Sequence, residues 1–295
     1  MGLCVAYSRS NEREYVGGLE QKSNNNTSSY LWRRVLSLRD VKVHGRGIIS
    51  AEKRPGGQGG VSKQTIHFNG DGANLLVEGI TFVQSQGFAC TARGVSNVIR
   101  NCKVVGNWHP TTDGFVMDDF GMVEDCFIKA DDDAIKLYGS HGVARRCVIW
   151  QMENGGVFQL GWTRQNAAGC RVSEVDIIRT EWTTTDRDAR GIIASVGLGG
   201  SGGNHVFENI RVERGCGRII SLNLKPGSNA TCTNVLIRNL TVENWKPVEG
   251  QINGAGFSGI TLENLLLNGQ WVTNASQAGI KILNGARDIR FLRKP

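Results

Sequence analysis

A chain of 295 residues with a formal charge of +7 is long enough for one large domain or two ordinary ones. Its lysines and arginines never run longer than two together and do not interleave with aromatics, so nucleic acid is not expected as a partner. No stretch approaches the roughly 20 apolar residues of a membrane span, and the 39 scattered glycines read as many turns rather than a flexible linker.

In chain order, residues 1–34 read as an N-terminal extension or cap. The opening "MGLCVAYSRSNEREY" has a short apolar piece but neither a basic region before it nor a cleavage pattern, so no signal peptide is read. The triplets at Asn229, Asn239 and Asn274 fit N-glycosylation acceptors but arise often by chance, and the compartment stays open.

From residue 35 to 295 the chain repeats itself. The segments "LLVEGITFV" (75–83), "NVIRNCKVVG" (97–106), "GMVEDCFIKA" (121–130), "GVARRCVIWQ" (142–151), "CRVSEVDIIRT" (170–180), "HVFENIRVER" (205–214), "NVLIRNLTVEN" (234–244) and "ITLENLLLNG" (260–269) share one pattern. Each has strand-like alternation on both sides of a polar kink. The kink is expected at Gly79, Asn101, Asp125, Arg146, Val175, Asn209, Asn239 and Asn264, at intervals of 21 to 34 residues. Helical repeats would show a 3.6-residue period, whereas these segments are short and β-branched. The expected fold is all-β, a right-handed parallel β-helix (solenoid) of about nine coils.

Directly after the kink stand Ile80, Cys102, Cys126, Cys147, Asp176, Ile210, Leu240 and Leu265. Three cysteines thus share one inward position where other coils carry Ile or Leu. The 8 cysteines read as buried free thiols rather than a disulfide framework, and no CxxC pair suggests zinc.

Residues 111–139, "TTDGFVMDDFGMVEDCFIKADDDAIKLYG", concentrate acid in a basic chain. Aligning "QGFAC" (86–90), "DGFVM" (113–117), "DAIKL" (133–137), "GGVFQ" (155–159), "RGIIA" (190–194) and "GRIIS" (217–221) puts Gln86, Asp113 and Asp133 in one column, with Asn154 and Gly155 beside it. Asp132 then lies beside Thr112 and Glu153. Carboxylates one coil apart repel, so one is pushed towards its protonated form while another stays ionised. That division is what glycosidic hydrolysis requires, an acid for the leaving oxygen and a base for water. A calcium site or an acidic turn are the alternatives, and geometry leaves retention or inversion open.

The run from "NWHPTTDGF" through "DCFIKADDDAIKLYGSHGVARRCVIWQMENGGVFQLGW" (107–162) resembles glycoside hydrolase family 49, the dextranases and isopullulanases. The elements "TDG", "DDDAIKLY", "CVIWQMENG" and "GVFQLGW" carry the likeness, which extends over about residues 35 to 165. It implies a secreted, inverting endo-hydrolase of α-glucans, with Asp132 as general acid and Asp113 and Asp133 activating water. Asp131 has no assigned role. The family usually carries a β-sandwich ahead of its β-helix, and only about 34 residues precede the first coil here. The polygalacturonase-like hydrolases are similar in their TDG and adjacent aspartates, but "ENGGVFQ" and "RIIS" stand where their GHG and RIK triplets would fall.

Around the acids, Trp108, Tyr138 and Trp162 are candidate platforms for sugar rings. Lys136, Glu153 and Gln159 are candidate polar contacts, while His109 reads as a solvated turn residue. The expected partner is a polysaccharide acted on by a monomer, with no membrane, cofactor or metal. An anionic polymer, pectic or sulfated, and a non-catalytic glycan-binding β-helix are the alternative readings.

Overall fold

Runs such as Phe115–Met117 and Ile135–Leu137 are too short to fold alone, and each takes its backbone hydrogen bonds from the run one coil away. The computed structural model describes residues 4–8, 13–17, 41–50, 66–68, 74–106 apart from 84, 86 and 93, 111–161, 166–182 and 190–294. The expected boundary at residue 34, and Gln86, Trp108, His109 and Trp162, lie outside the described residues. Among the described residues no helix is long and apolar enough to cross a membrane.

The coils stack into a parallel β-helix with three faces. The first face begins with Val41–His44, Leu76–Glu78, Val98–Arg100 and Met122–Glu124. The second begins with Ile48–Ser50, Thr81–Val83, Lys103–Val105 and Phe127–Ala130. Further on, long strands such as Val143–Gln151 and Cys232–Val242 run across both faces. The third face is a separate sheet of nine parallel strands from Ile66–Phe68 to Ile280–Leu283, in agreement with the nine coils expected. At the front, Cys4–Ser8 pairs antiparallel with both Arg13–Gly17 and Val41–His44.

The corner between the first two faces is a column of left-handed residues. Gly79, Asn101, Asp125, Arg146, Glu174, Asn209, Asn239 and Asn264 have φ between 51° and 75°. One expectation is corrected here: the kink of the fifth repeat is Glu174, and Val175 rather than Asp176 turns inward. Asp176 instead pairs outside with Arg211 at 3.1 Å. Ser173 is in register with Arg145, and the acid one place later mimics that charged position, which shifts the apparent corner by one residue.

Side chains explain why this corner stacks. Asn264 donates to Asn239 at 3.1 Å and Asn239 to Asn209 at 2.9 Å. Inside it, Cys102, Cys126 and Cys147 donate to the carbonyls of Arg100, Glu124 and Arg145, each two residues back, at 3.2–3.3 Å. A thiol therefore fills an apolar position and serves a backbone oxygen at the kink. Cys90, Cys102, Cys126, Cys147, Cys170, Cys216 and Cys232 are buried and unbridged.

Outside the first face, stacking places Glu78, Arg100, Glu124, Arg145, Ser173, Glu208, Arg238 and Glu263 in one row. Signs alternate along it, and Arg100–Glu78 and Arg145–Glu124 close at 2.9 and 2.7 Å. Like charges in register would repel, and the alternation of sign avoids this. The interior is filled by Phe82, Phe115, Phe158, Phe207 and Phe257, all fully buried.

Replacing Asn239 by Ala removes both amide bonds and puts a residue poorly suited to φ 53° at the corner. Denaturant unfolding is expected to show a loss of about 1–2 kcal/mol. Glu174→Asn should shift stability the other way, by about 0.5–1 kcal/mol, because Asn tolerates the left-handed region.

Candidate active site

The third face carries the acids at the start of two adjacent strands. Phe115 pairs with Ile135, so Asp113 stands directly beside Asp133, as the sequence alignment expected. This approach depends on Gly114, where a Cβ would fall 2.2 Å from the Ala134 carbonyl oxygen. Gly155 has the same function one coil on, since its Cβ would lie 2.5 Å from Asp132 Oδ1.

The register beyond the acids differs from the expected one. Ile135 pairs with Phe158, Phe158 with Ile193 and Ile193 with Ile220. The Asp113–Asp133 column therefore continues through Gly156, Gly191 and Arg218, while Gly155 and Arg190 follow Asp132. Asn154 falls one place earlier than expected, and Glu153 does not stand beside Asp132. Upstream, Phe115 pairs with Cys90, not with Phe88. The cause is visible in the burial: Val157, Phe158, Ile192, Ile193, Ile219 and Ile220 are all buried, so no polar alternation marks the phase.

Asp113, Asp132 and Asp133 come together, offering carboxylate oxygens within 4.8 Å of one another. Lys136 lies between two of them. Its Nζ is 2.8 Å from Asp113 Oδ1 and 2.7 Å from Asp133 Oδ2, and all three groups are buried. Burial works against the Lys136 charge, but Asp133 and Asp113 more than offset it and hold its pKa above the usual lysine range. Lys136 was expected to point outward on its strand. It does, between inward Ile135 and Leu137, yet it forms the floor of the cluster. Rings of Phe88 and Tyr138 lie 5.1 and 5.6 Å from its ammonium.

Three carboxylates face one ammonium, so full ionisation would leave net negative charge in a largely buried site. Burial pushes Asp113 up to about 8, against Lys136 and with the help of Asp132 and Asp133. Burial, with Asp133, pushes Asp132 up to about 6. Groups this close titrate as a set, and the set keeps a proton towards neutrality. Asp133 is the most enclosed: Lys136 holds one oxygen and the Gly156 N–H donates to the other at 2.9 Å. Asp132 is the most exposed and touches no ammonium. It accepts from its neighbour's N–H (Asp133) at 3.1 Å and from Asn154 Nδ2 at 3.1 Å.

Two contributors were missed in the sequence. Asn154 was placed beside the column without a role, and it orients Asp132. Gln151 was read only as part of a motif. From the coil after the acids its Nε2 donates to the carbonyls of Asp131 at 3.2 Å and Asp132 at 2.8 Å, fixing their turn. Asp131 is buried in that turn, its carbonyl also receiving the Asn154 and Gly155 N–H groups. Glu153 is half-buried and faces Arg190 at 3.5 Å. Gln159 pairs with Lys136 one coil on, is fully buried and donates to the Gly161 carbonyl at 3.2 Å. Its Oε1 meets no protein donor. Lys136 already supplies counter-charge to Asp113 and Asp133 and would compete with a cation for the three aspartates.

No family model matches the chain. A dextranase of Talaromyces minioluteus is 32% identical over 93 residues, covering 32% of this chain and 15% of that protein. An isopullulanase of Aspergillus niger is 25% identical over 210 residues, covering 62% of this chain and 37% of that protein. The chain is a relative of these enzymes. The likeness to family 49 read from "TDG" and "DDDAIKLY" agrees with both. The chain spans at most 37% of the length of these two relatives. Dex49A from Penicillium minioluteum shares the fold, with a TM-score of 0.64 at 18% identity over 83% of this chain and 50% of that one.

Lys136→Met should destabilise the protein by about 3–5 kcal/mol near neutral pH, because two buried carboxylates lose their counter-charge. Chemical denaturation measures it, and the loss should shrink in acid as those carboxylates protonate. Asp132→Asn has the opposite sign. The folded carboxyl has its pKa raised from 3.8 to about 6, so the folded state holds the proton more tightly. The charge therefore costs stability increasingly as pH rises from about 4 to above 6. The Asn variant is expected to melt higher than the parent at pH 7 and equally at pH 3.5.

Proposed function

We propose that the protein is a glycoside hydrolase that cleaves internal bonds of an α-glucan, a dextran- or pullulan-like polysaccharide, with inversion. The observation that carries the reading is the Asp113–Asp132–Asp133 cluster around Lys136 at the edge of the third face. Dextranases and an isopullulanase as relatives supply the substrate class.

Asp132, the most exposed carboxyl and the one not bound to Lys136, protonates the leaving glycosidic oxygen. The set retains one proton, and its productive form carries that proton on Asp132, leaving Asp113 and Asp133 ionised against Lys136 to orient a water and take its proton. Gln159, one coil on, remains a proposed polar contact, although its Oε1 is buried and meets no protein donor. Tyr138, Glu153 and the tryptophans Trp108 and Trp162 remain proposed sugar contacts. A neutral glycan is favoured over an anionic one because three carboxylates outnumber the one ammonium at the site. The arginines further along the edge are engaged within the protein. Arg190 faces Glu153, and Arg218 donates to the carbonyls of Glu249 at 2.8 Å and Arg190 at 3.3 Å.

Inversion follows from the resemblance and not from the spacing. Retaining pairs stand about 5–5.5 Å apart and inverting pairs about 6.5–9.5 Å, and this cluster lies at the short end. The released anomer decides: NMR of fresh products from dextran or pullulan is expected to show the β-anomer first. Initial α-anomer would establish retention.

Asp132→Asn should lower kcat about 10²–10⁴-fold while glucan binding persists. Loss of binding together with turnover would argue for a different role. Activity of the parent is expected to fall as pH rises through about 6 to 8, where the cluster gives up its retained proton. A rate that keeps rising across that range would remove the carboxylic acid from the mechanism.

A further inference from the structure

The corner between the third and first faces is a second left-handed column: Asn74, Ser96, Phe120, His141, Gly169, Asn204, Asn234, Gly259 and Asp288. Seven of these are Asn, Gly, Ser or Asp, short residues that bend this way readily or with little crowding. The two ring residues occur side by side, at Phe120 (φ 55°) and His141 (φ 59°). A phenylalanine in this region is an outlier whose conformational cost calls for another use. Phe120 is not held there by burial, being 57% exposed.

The rings form one stack. Their centroids are 5.0 Å apart and their planes 20° from parallel. The stack is closed at one end: a Cβ at Gly169 would fall 2.7 Å from His141 Nδ1, so the missing side chain is what lets the imidazole lie there. At the other end the next member of the column is only Ser96, with exposed Val95 beside it. Gly169 thus makes room, His141 backs the stack and Phe120 presents its outer face. The exposed carboxylate of Asp119 stands next to it, held by the Ser140 N–H at 2.6 Å.

Position completes the argument. Phe120 lies on the coil that carries Asp113, and His141 on the coil that carries Asp132 and Asp133. Seven residues separate Asp113 from Phe120, a path of at most about 23 Å at about 3.3 Å per residue. A polymer engaged at the acids has an aromatic surface within reach at the far edge of the same face.

We propose that the Phe120–His141 stack is a second, non-catalytic carbohydrate-binding site that holds a distant part of the same α-glucan chain. The apolar face of a glucose ring packs on Phe120, and Asp119 accepts from its hydroxyls. The proposal rests on the glucan reading above.

The test compares Phe120→Asn with its parent, both carrying Asp132→Asn, by titration calorimetry against dextran and pullulan. Asn keeps the left-handed backbone, so the fold is retained and the melting temperature should not fall. Polymer affinity is expected to drop about three- to tenfold, the range of one aromatic contact. Gly169→Ala should weaken binding in the same direction by displacing His141. In the active background, Phe120→Asn should cost more in kcat/KM on the polymer than on a trisaccharide. Unchanged polymer affinity in Phe120→Asn overturns the site while leaving hydrolysis intact. Equal losses on polymer and trisaccharide also overturn it, assigning Phe120 to the fold. A parent that neither binds nor cleaves any glucan overturns the site and the proposed function together.

Discussion

Parallel stacking in register is the constraint on which the rest depends. Every outward or inward side chain meets its equivalent about 4.8 Å away on the next coil, without choice of partner. Apolar positions profit, and so do amides, which donate to one neighbour and accept from the other along Asn209, Asn239 and Asn264. Thiols fit as well, each adding a second donor to a kink carbonyl that already accepts a backbone N–H from the preceding coil. Charges suffer, since a repeated carboxylate repels its own copy.

The candidate site exploits that penalty. Asp113 and Asp133 occupy the one column in which repetition is least tolerable, and Lys136 makes the pair sustainable without neutralising the third acid. The cluster then has more negative charge than cation, which is the condition for storing a proton. Gly114 and Gly155 set the closeness, because a side chain at either would force the coils apart at the acids. Asn154 and Gln151 act from the following coil, so the site spans three coils even though its carboxylates come from two. Proton chemistry here follows from backbone spacing more than from any single residue.

The sequence showed some of this and concealed the rest for physical reasons. The solenoid, its nine coils, the buried free thiols and the meeting of three aspartates were legible, because the polar kink and the alternation around it repeat. The fifth corner is displaced by one residue because Glu174 mimics the charged position that Ser173 fills in register with Arg145. The register after Ile135 slipped because strands buried on both sides, such as Val157–Phe158 and Ile192–Ile193, carry no phase. Lys136 was read as an outward side chain, which its strand confirms, but its bridging of two acids depends on neighbours far apart in the chain. Asn154 showed only its place beside the column and Gln151 only its place in a motif, since an amide aimed at a turn on another coil looks like any other polar residue.

The alternating charges outside the first face act as a parity rule for the length of the solenoid. Removing or duplicating one coil within Glu78–Arg145 brings two like charges into register, whereas two coils together preserve the order. Ser173, the neutral member between Arg145 and Glu208, is where the count restarts. A single coil can be gained or lost at that point without bringing like charges of this row into register. Growth and engineering of this solenoid are therefore quantised in pairs, with one seam where the quantum is a single coil.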